Sequence, residues 1–400
     1  MQRIAMLGPF GLHPNKTMRS RALSLARELV KLGHLVTIIM PPWQTPEEAN
    51  KAWTEDGVRL INVAVDGGIP AVVRRMLAEA ERFKADIIYG FKPKAYSGLS
   101  MWWLWQVRRF GRHADRLLIT DTDDWEGWGG WNDIGDYSTI QKYFFAWQER
   151  WGMTHCDHLI VASRELEKRA TEMGIPAERL TYLINGPGIR VEQPFPPPER
   201  AQKRVELGLG ENPTLLLYSR LFEFNTERLI ITLIGLIQRV PDIKILMVGA
   251  GLFADQAKEL RKQLAAANLL EACVDVGWLE EDQLPNTLRA ADVALYLMDD
   301  TLLNRTKCPV KLADLVALGI PVVAEEVGQV SAYVVDGENG YLKPSGDTDG
   351  LIDRLAELLS ITPEARQFIG AKGKALHQET FAWETQAQKF SALIEKEKAP

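Results

Sequence analysis

Short β-branched or aliphatic runs alternate with helix-length amphipathic segments along most of the chain. Parallel strands need a crossover connection, so this alternation predicts βα units around a parallel sheet, an α/β fold class. The first half contains six predicted strands, at Arg3–Leu7, Val36–Met40, Val58–Val63, Ile87–Gly90, Leu117–Thr120 and His158–Val161. The second half contains five more, at Thr214–Ser219, Lys244–Val248, Cys273–Val276, Val293–Leu297 and Pro321–Ala324. The pattern predicts two Rossmann-like, doubly wound parallel-sheet domains.

A proline-rich stretch separates the two strand series. Residues 191–203 read VEQPFPPPERAQK, and four prolines in a polar segment predict a stiff linker without helix or strand. The predicted domains therefore span residues 1–190 and 204–375. Ligands of such sheets bind beyond the carboxyl ends of the strands, so we expect the two domains to face a central cleft that holds the functional site.

Composition excludes several classes of protein. The chain is 46% hydrophobic and 25% charged, as expected of a globular protein, and no apolar run approaches the roughly 18 to 20 residues of a spanning helix. A net charge of -6 argues against nucleic acid as a partner. Three cysteines without CxxC spacing predict free thiols and no zinc site. The start, MQRIAMLGPFG, lacks the pattern of a signal peptide, so we expect a cytoplasmic protein.

The segment KCPVKLADLVALGIPVVA, residues 307–324, is the strongest candidate for a ligand site. Proline suits a first helical turn, and Lys311 and Asp314 are three residues apart on one helix face. With the free N–H groups of the helix start, Lys311 would complete a diphosphate site, and Asp314 could accept hydrogen bonds from a ribose diol. The alternative is a surface ion pair without a ligand.

Two further features point to the same edge of the second sheet. Arg220 follows the predicted strand TLLLYS, where anions bind in such folds, and Asn225 or Thr226 can cap the next helix. Gly249 and Gly251 follow the next strand in a tight turn that allows backbone to approach a ligand. Each feature alone is also explained by a structural ion pair or a turn.

The order and spacing of these segments resemble the retaining nucleotide-sugar glycosyltransferases of family 4, which have the GT-B fold. The resemblance runs from PFGLHPNKT through SRLFEFNTERL, MVGAGLF and VGWLEEDQL to the segment KCPVKLADLVALGIPVVAEEVGQ. It implies that Arg220 and Lys311 hold the donor diphosphate and that Asp314 holds the donor ribose. It also implies that the C-terminal helix, about 376–395, packs back on the first domain, and that no metal or other cofactor is needed.

The chain departs from the family pattern at three places. The usual Lys-Gly after the arginine is replaced by Asn225 and Thr226, and the first of the paired acids is replaced by Thr306. The glutamate of the GGxxE segment is replaced by Ala332. Cys308-Pro-Val-Lys311 resembles a family variant in which this lysine substitutes for the missing one. These departures affect the expected donor sugar, not the expected fold.

We expect the first domain to bind the acceptor. Its densest polar cluster, DTDDWEGWGGW at residues 121–131, begins where a strand ends. We predict Asp121, Asp123 and Asp124 as catalytic carboxylates, with Asp121 orienting the acceptor hydroxyl, and Trp125 and Glu126 as acceptor-binding residues. The alternatives are a divalent metal site and a capped structural loop.

Basic residues near the first helix are candidate phosphate ligands. Lys16 and Thr17 form a predicted acceptor or phosphate loop, and Arg19 and Arg21 could face a phosphate or be solvated.

The segment 100–113, SMWWLWQVRRFGRH, combines tryptophan and arginine. This composition suits a membrane interface, so peripheral contact with the inner face of a membrane is one interpretation. A buried helix with a polar end is the other.

Taken together, the residues and the resemblance predict a glycosyltransferase in polysaccharide or glycoconjugate biosynthesis. It would move a sugar with retention from a nucleotide-diphosphate donor to a glycan, a lipid-linked or a small-molecule acceptor. Alternatives are a nucleotide-sugar epimerase or phosphorylase with the same fold, or a non-catalytic sugar-nucleotide-binding subunit.

Overall fold

The computed structural model describes residues 1–13, 17–112, 115–191, 196–249 and 251–398, and the chain divides into two compact units. Unit 1 comprises Met1–Gly186, Thr306–Cys308 and Ala382–Pro400, and unit 2 comprises Pro187–Arg305 and Pro309–Phe381.

Unit 1 is built on an eight-stranded sheet with the order β3-β4-β2-β1-β5-β6-β7-β8. All neighbouring strands are parallel except β3, which is antiparallel to β4. Its strands are β1 Arg3–Leu7, β2 Leu35–Met40, β3 Ala52–Glu55, β4 Val58–Asn62, β5 Ile87–Phe91, β6 Leu117–Thr122, β7 His158–Val161 and β8 Leu180–Tyr182. Its helices are α1 Ser24–Lys31, α2 Gly68–Arg82, α3 Ala95–Arg108, α4 Trp131–Ile134, α5 Thr139–Thr154 and α6 Arg164–Glu172, with a π-helix over Met18–Leu23 before α1.

Unit 2 has a six-stranded, fully parallel sheet with the order β11-β10-β9-β12-β13-β14. Its strands are β9 Thr214–Tyr218, β10 Lys244–Val248, β11 Cys273–Asp275, β12 Val293–Tyr296, β13 Val322–Glu325 and β14 Gly340–Lys343. Its helices are α7 Pro197–Glu206, α8 Thr226–Arg239, α9 Ala254–Ala266, α10 Leu284–Arg289, α11 Leu302–Thr306, α12 Val310–Leu318, α13 Thr348–Ser360 and α14 Pro363–Leu376, followed by a π-helix over His377–Phe381. The last helix, α15 Trp383–Glu397, belongs to unit 1.

Apolar side chains cover both faces of the unit 1 sheet, which is why its inner strands read as continuous aliphatic runs. On one face, α15 inserts Trp383 and Phe390 into the core beside Ile4 and Tyr89, and the rings of Tyr89 and Phe390 meet edge to face at 5.6 Å. The C-terminal helix thus supplies part of the first unit's core.

The prediction of a linker without helix over 191–203 was wrong for its second part. Residues 192–195 lie outside the described residues, but α7 begins at Pro197. Pro197 and Pro198 occupy the first helical turn, where a missing N–H has no intrahelical partner to lose. The prolines therefore start a helix.

Candidate functional site

In unit 2, residues from three segments converge at the carboxyl edge of the sheet. The ammonium nitrogen of Lys311, in the first turn of α12, lies 3.4 Å from the ring centroid of Tyr218, the last residue of β9. Gly249 follows β10 with φ +110°, and a Cβ there would lie 2.5 Å from the Ser219 carbonyl oxygen and 3.8 Å from the Lys311 nitrogen. Only glycine permits this close approach of the loop to the Ser219 carbonyl.

Arg220 follows the same strand in a constrained turn. Its carbonyl accepts a hydrogen bond from the Leu252 amide at 2.9 Å, and its side chain is half-buried. The next residue, Leu221, has φ +64°, a left-handed conformation that is rare for leucine. The Leu221 amide donates to the Ser219 hydroxyl at 2.9 Å. A non-glycine residue held in this conformation is a feature that clusters at binding sites.

Asp314, predicted to hold the donor ribose, accepts hydrogen bonds from within unit 2. It is buried, and one carboxylate oxygen accepts hydrogen bonds from the amides of Gly188 at 2.7 Å and Ile189 at 3.3 Å. The other accepts from the Tyr218 hydroxyl at 3.3 Å. Burial raises the pKa of Asp314 to about 7, against the opposing effect of these donors and of Lys311. Asp314 therefore tethers the 188–189 segment to α12.

Two other residues predicted to bind the donor, Asn225 and Gly251, have structural roles. Asn225 caps α8, its side chain accepting from the Glu227 amide at 2.8 Å. A Cβ on Gly251 would lie 2.5 Å from the Cβ of Gln256, in the first turn of α9. Glycine therefore allows α9 to begin close to the turn that precedes it.

A cavity of about 330 Å³ adjoins this edge of the unit 2 sheet. It is mostly apolar, and the Arg261–Asp275 ion pair, 2.9 Å apart, contributes its charged groups. The lining residues are Leu217, Ser219, Leu221, Met247, Val248, Gly249, Ala257, Leu260, Arg261, Leu264, Leu270, Cys273 and Asp275.

In unit 1, the predicted acidic loop surrounds a buried lysine. The ammonium group of Lys92 lies 2.9 Å from Asp123, 3.0 Å from Asp124 and 3.2 Å from Glu126. Asp124 is the most exposed of these carboxylates. Burial alone would lower the pKa of Lys92, but the three carboxylates outweigh it and raise that pKa well above its usual value.

Lys92 and Lys94 lie in the loop between β5 and α3, where Lys92 has φ +57° and Ala95 has φ +49°. Lys94 pairs with Glu126, and its ammonium group contacts the Tyr137 hydroxyl at 3.0 Å. The two lysines bind the acidic loop to the end of β5. They are functional candidates that the sequence analysis missed, although the FKPK motif directly after a strand was a usable signal.

Asp121 lies in the core and not at the accessible edge predicted for it. Its carboxylate accepts two hydrogen bonds from the Arg21 guanidinium, both at 2.7 Å, and a third from the Tyr89 hydroxyl. Asp121 and Arg21 have no exposed surface. The expectation of a phosphate-facing or solvated Arg21 was therefore wrong, and Asp121 cannot touch an acceptor in this arrangement. Arg19 instead pairs with Glu55 at 2.8 Å.

The remaining predicted acceptor residues also differ in accessibility. Trp125 is buried, donates from its indole to the Trp128 carbonyl at 2.8 Å, and has the Arg169 guanidinium 4.6 Å from its ring centroid. Glu126 is buried between the two lysines, and their charges outweigh burial and lower its pKa. Thr17 is half-buried at the start of the first π-helix, and Lys16 lies outside the described residues.

Glu149, on α5, hydrogen-bonds to the acidic loop and was not predicted from the sequence. It is fully buried, and its carboxyl oxygens accept from the Thr122 hydroxyl at 3.2 Å and the Glu126 amide at 2.7 Å. Burial, then the charge of Glu126, raises the pKa of Glu149 to about 8.

The segment 100–112 forms the end of α3 and the turn after it, and His113 lies outside the described residues. Trp103 is about half exposed, whereas Trp102 and Trp105 are partly buried. The described helices include none long and apolar enough to cross a membrane. Among the described residues there is also no cluster of three histidine, cysteine or acidic side chains that could hold a metal ion.

Two family profiles match the chain. Residues 16–186 match the profile described as "Glycosyl transferase 4-like domain", and residues 212–360 match "Glycosyl transferases group 1".

Relatives and solved structures extend these matches. The chain is 26% identical over 244 residues to a GDP-mannose-dependent alpha-(1-6)-phosphatidylinositol monomannoside mannosyltransferase of Mycolicibacterium smegmatis; the match covers 60% of this chain and 62% of that protein, less than two thirds of its length. It is 23% identical to a phosphatidyl-myo-inositol mannosyltransferase of Mycobacterium leprae, over 98% of this chain and 96% of the relative. The structure of Anabaena Alr3699/HepE in complex with UDP-glucose matches with a TM-score of 0.73 at 18% identity, over 99% of this chain and 100% of that one. These similarities assign the two parallel-sheet units to the GT-B fold class.

Proposed function

This chain belongs to the group 1 glycosyltransferases of family 4, and we propose that it transfers a sugar from a nucleotide-diphosphate donor to an acceptor hydroxyl with retention. The observation that supports this most is the approach of the Lys311 ammonium group to the end of β9 and to Gly249, at the carboxyl edge of the unit 2 sheet where Arg220 follows β9.

The donor diphosphate is assigned to Lys311, Arg220 and the amino end of α12. Both side chains carry positive charge, and a helix start adds free N–H groups and a partial positive charge. Negative charge grows on the leaving diphosphate as the glycosidic bond breaks, so fixed cations there favour the transition state. The cavity of about 330 Å³ beside Ser219 and Gly249 has room for the nucleobase.

The acceptor is assigned to the acidic loop of unit 1, where the partly exposed Asp124 is the carboxylate best placed to contact a hydroxyl. Named relatives act on phosphatidylinositol-based lipids, and a named structural neighbour holds UDP-glucose. These names support a glycan or lipid-linked acceptor and a nucleotide-sugar donor.

No metal enters the proposed reaction, because lysine and arginine supply the charge that a divalent cation would otherwise provide. Full transfer activity in excess EDTA is the expected result. Activity that falls in EDTA and returns with Mg²⁺ or Mn²⁺ would instead assign a metal to Asp123 and Asp124.

Thermal-shift measurements with UDP-, GDP- and TDP-sugars test the donor class. A ligand at about 100 times its dissociation constant stabilises the protein by about 2.7 kcal/mol. Transfer of labelled sugar from the stabilising donor to glycan or lipid acceptors, with the anomeric configuration read by NMR, then tests transfer and retention.

A non-catalytic donor-binding subunit is the second candidate. Thr306 replaces an acid of the family pattern and is fully buried, its carbonyl accepting from the Ser163 hydroxyl at 2.7 Å. A chain that binds a nucleotide sugar but neither hydrolyses nor transfers it would support this candidate.

We also propose peripheral contact with the inner face of a membrane through residues 100–112, where Trp103, Arg109 and Arg112 are exposed. A lipid-linked acceptor would require access to such a surface.

A further inference from the structure

Lys92 has a fixed backbone directly after β5. Its amide donates to the Asp121 carbonyl of β6 at 2.8 Å, and its carbonyl accepts from the Ser97 hydroxyl at 2.6 Å and from the Lys94 amide at 2.8 Å. With φ +57°, the residue has a left-handed conformation that is costly for lysine and persists only where the surroundings impose it. These contacts fix the point from which the side chain extends into the acidic loop.

The ammonium group of Lys92 is fully paired with carboxylates. An ammonium group has three N–H donors, and this one has three carboxylate partners at distances of 2.9 to 3.2 Å, those of Asp123, Asp124 and Glu126. The Lys92 side chain is only 5% exposed. Lys92 can therefore influence a substrate only through the carboxylates that it contacts.

Among these three carboxylates, Asp124 is the most accessible. Its side chain is 17% exposed, against 4% for Asp123 and 5% for Glu126. Its Oδ2 atom contacts the Lys92 ammonium group at 3.0 Å, and its Oδ1 atom accepts no hydrogen bond from any residue that the structure describes. Both oxygens of Glu126, in contrast, are paired with lysines. The Asp124 Oδ1 atom is thus available to a hydroxyl of a substrate.

The charges of this cluster do not balance. Two lysines, Lys92 and Lys94, face three carboxylates, so one negative charge remains when all five groups are ionised. An ionised carboxylate is a strong acceptor for an O–H donor, and Asp124 is the accessible one. Without the Lys92 ammonium group, repulsion among the carboxylates would displace Asp124 or favour its protonated form.

We propose that Lys92 is a positioning residue for sugar transfer, which holds Asp124 ionised through Oδ2 so that Oδ1 accepts the hydrogen bond of the acceptor hydroxyl. This inference rests on the proposed function, which assigns the acceptor to the acidic loop. A reactant that is misplaced by about 1 Å can react about 10²-fold more slowly. Lys92 should therefore affect turnover and not donor binding, because the proposed donor residues lie in unit 2.

A double-mutant cycle on the full chain tests the proposal, with transfer measured from whichever UDP-, GDP- or TDP-sugar the wild type uses. Lys92→Met and Asp124→Asn should each lower kcat roughly 10- to 100-fold and leave the donor dissociation constant within about twofold of the wild-type value. The double variant should have nearly the kcat of Asp124→Asn alone, because a residue that acts through Asp124 has no effect once that carboxylate is gone.

Lys94→Met is the matched control, since it removes a lysine that contacts Glu126 and not Asp124. It should lower kcat less than Lys92→Met does. Lys92→Arg keeps the positive charge and should retain more turnover than Lys92→Met. Urea midpoints show whether each variant is folded, and Lys92→Arg takes the place of Lys92→Met in the cycle if the methionine variant is unfolded.

An equal fold-loss of kcat for Lys92→Met in the wild-type and Asp124→Asn backgrounds would overturn the proposal, because a structural role acts independently of Asp124. An unchanged kcat in Lys92→Met would overturn it too, as would an equal loss in Lys94→Met. A wild type that transfers sugar from none of the three donor classes would contradict the proposed function itself, and this inference with it.

Discussion

The guanidinium of Arg21 and the carboxylate of Asp121 form a bidentate ion pair in which neither side chain has exposed surface. Arg21 also donates to the Asn185 side chain at 2.6 Å and to the Leu183 carbonyl at 3.1 Å. The pair thus joins the first π-helix, the end of β6 and the segment after β8. Its role in unit 1 is to hold these elements together.

Arg21→Met should destabilise the protein by about 3 to 5 kcal/mol, because the substitution leaves a buried carboxylate without its partner. Arg19→Met is the control, since its pair with Glu55 is partly exposed and exposed pairs contribute about 0 to 1 kcal/mol. Urea unfolding measures both. Equal losses in the two variants would contradict the structural role of the Arg21–Asp121 pair.

Lys311→Ala should weaken nucleotide-diphosphate binding by roughly 1.5 to 3 kcal/mol, about 10- to 150-fold in dissociation constant, by removing a charge-assisted contact. Isothermal titration calorimetry with UDP and GDP measures the change in dissociation constant. Lys262→Ala removes an exposed lysine elsewhere in unit 2 and serves as the control. Unchanged binding in Lys311→Ala would place the donor site elsewhere.

Asp314→Asn should change the pH dependence of stability. Because burial raises the pKa of Asp314 from 3.8 to about 7, the folded chain binds more protons than the unfolded chain between these values. The free energy of unfolding of the wild type therefore falls as pH rises through this window. In the variant, which has no carboxyl group at this position, the free energy of unfolding should fall less over the same pH range. Denaturant titrations across the window test this.

The same variant separates a tether from a ribose contact. Since the two Asp314 oxygens already accept from Tyr218 and from backbone amides, ribonucleotide and deoxyribonucleotide binding should change equally. A larger loss for the ribonucleotide would restore the contact that the sequence predicts.

Glu149→Gln should likewise reduce the loss of stability with rising pH, here in unit 1 and at higher pH than for Asp314. The raised pKa of Glu149, about 8 against an ordinary 4.5, means that wild-type stability falls as pH rises between these values. Urea midpoints at about pH 5.5 and about pH 9 should differ less in the variant than in the wild type. Equal differences in the variant and the wild type would show that Glu149 is already ionised in the folded chain across this range.

Gly249→Ala should cost roughly 1 to 3 kcal/mol of stability and weaken donor binding, because φ is +110° and the new Cβ would lie 2.5 Å from the Ser219 carbonyl oxygen. Gly277→Ala is the matched control, with φ +62° but open space around its Cβ. A larger stability loss at Gly277 would show that backbone conformation, and not the close approach, determines the cost.

Patterns local in sequence predicted most strands correctly. β7 has the predicted bounds and β1 does too, because strands buried on both faces must be aliphatic throughout. The short strands β3, β8 and β14 were missed because they are only partly buried, so their composition resembles that of loops. The prolines of α7 led to the wrong prediction of a linker without helix, because the first turn of a helix tolerates proline.

The sequence by itself determined the two βα series, the family and the group of polar residues at the strand ends, since each follows from spacing along the chain. Only the tertiary structure decided which polar groups are accessible. Asp121 meets Arg21 from a hundred residues away, and Asp314 meets Gly188 across 126 residues. Such pairing removes a carboxylate from water and from substrate at once. No local pattern encodes it, because desolvation and charge pairing depend on which distant groups the fold brings together.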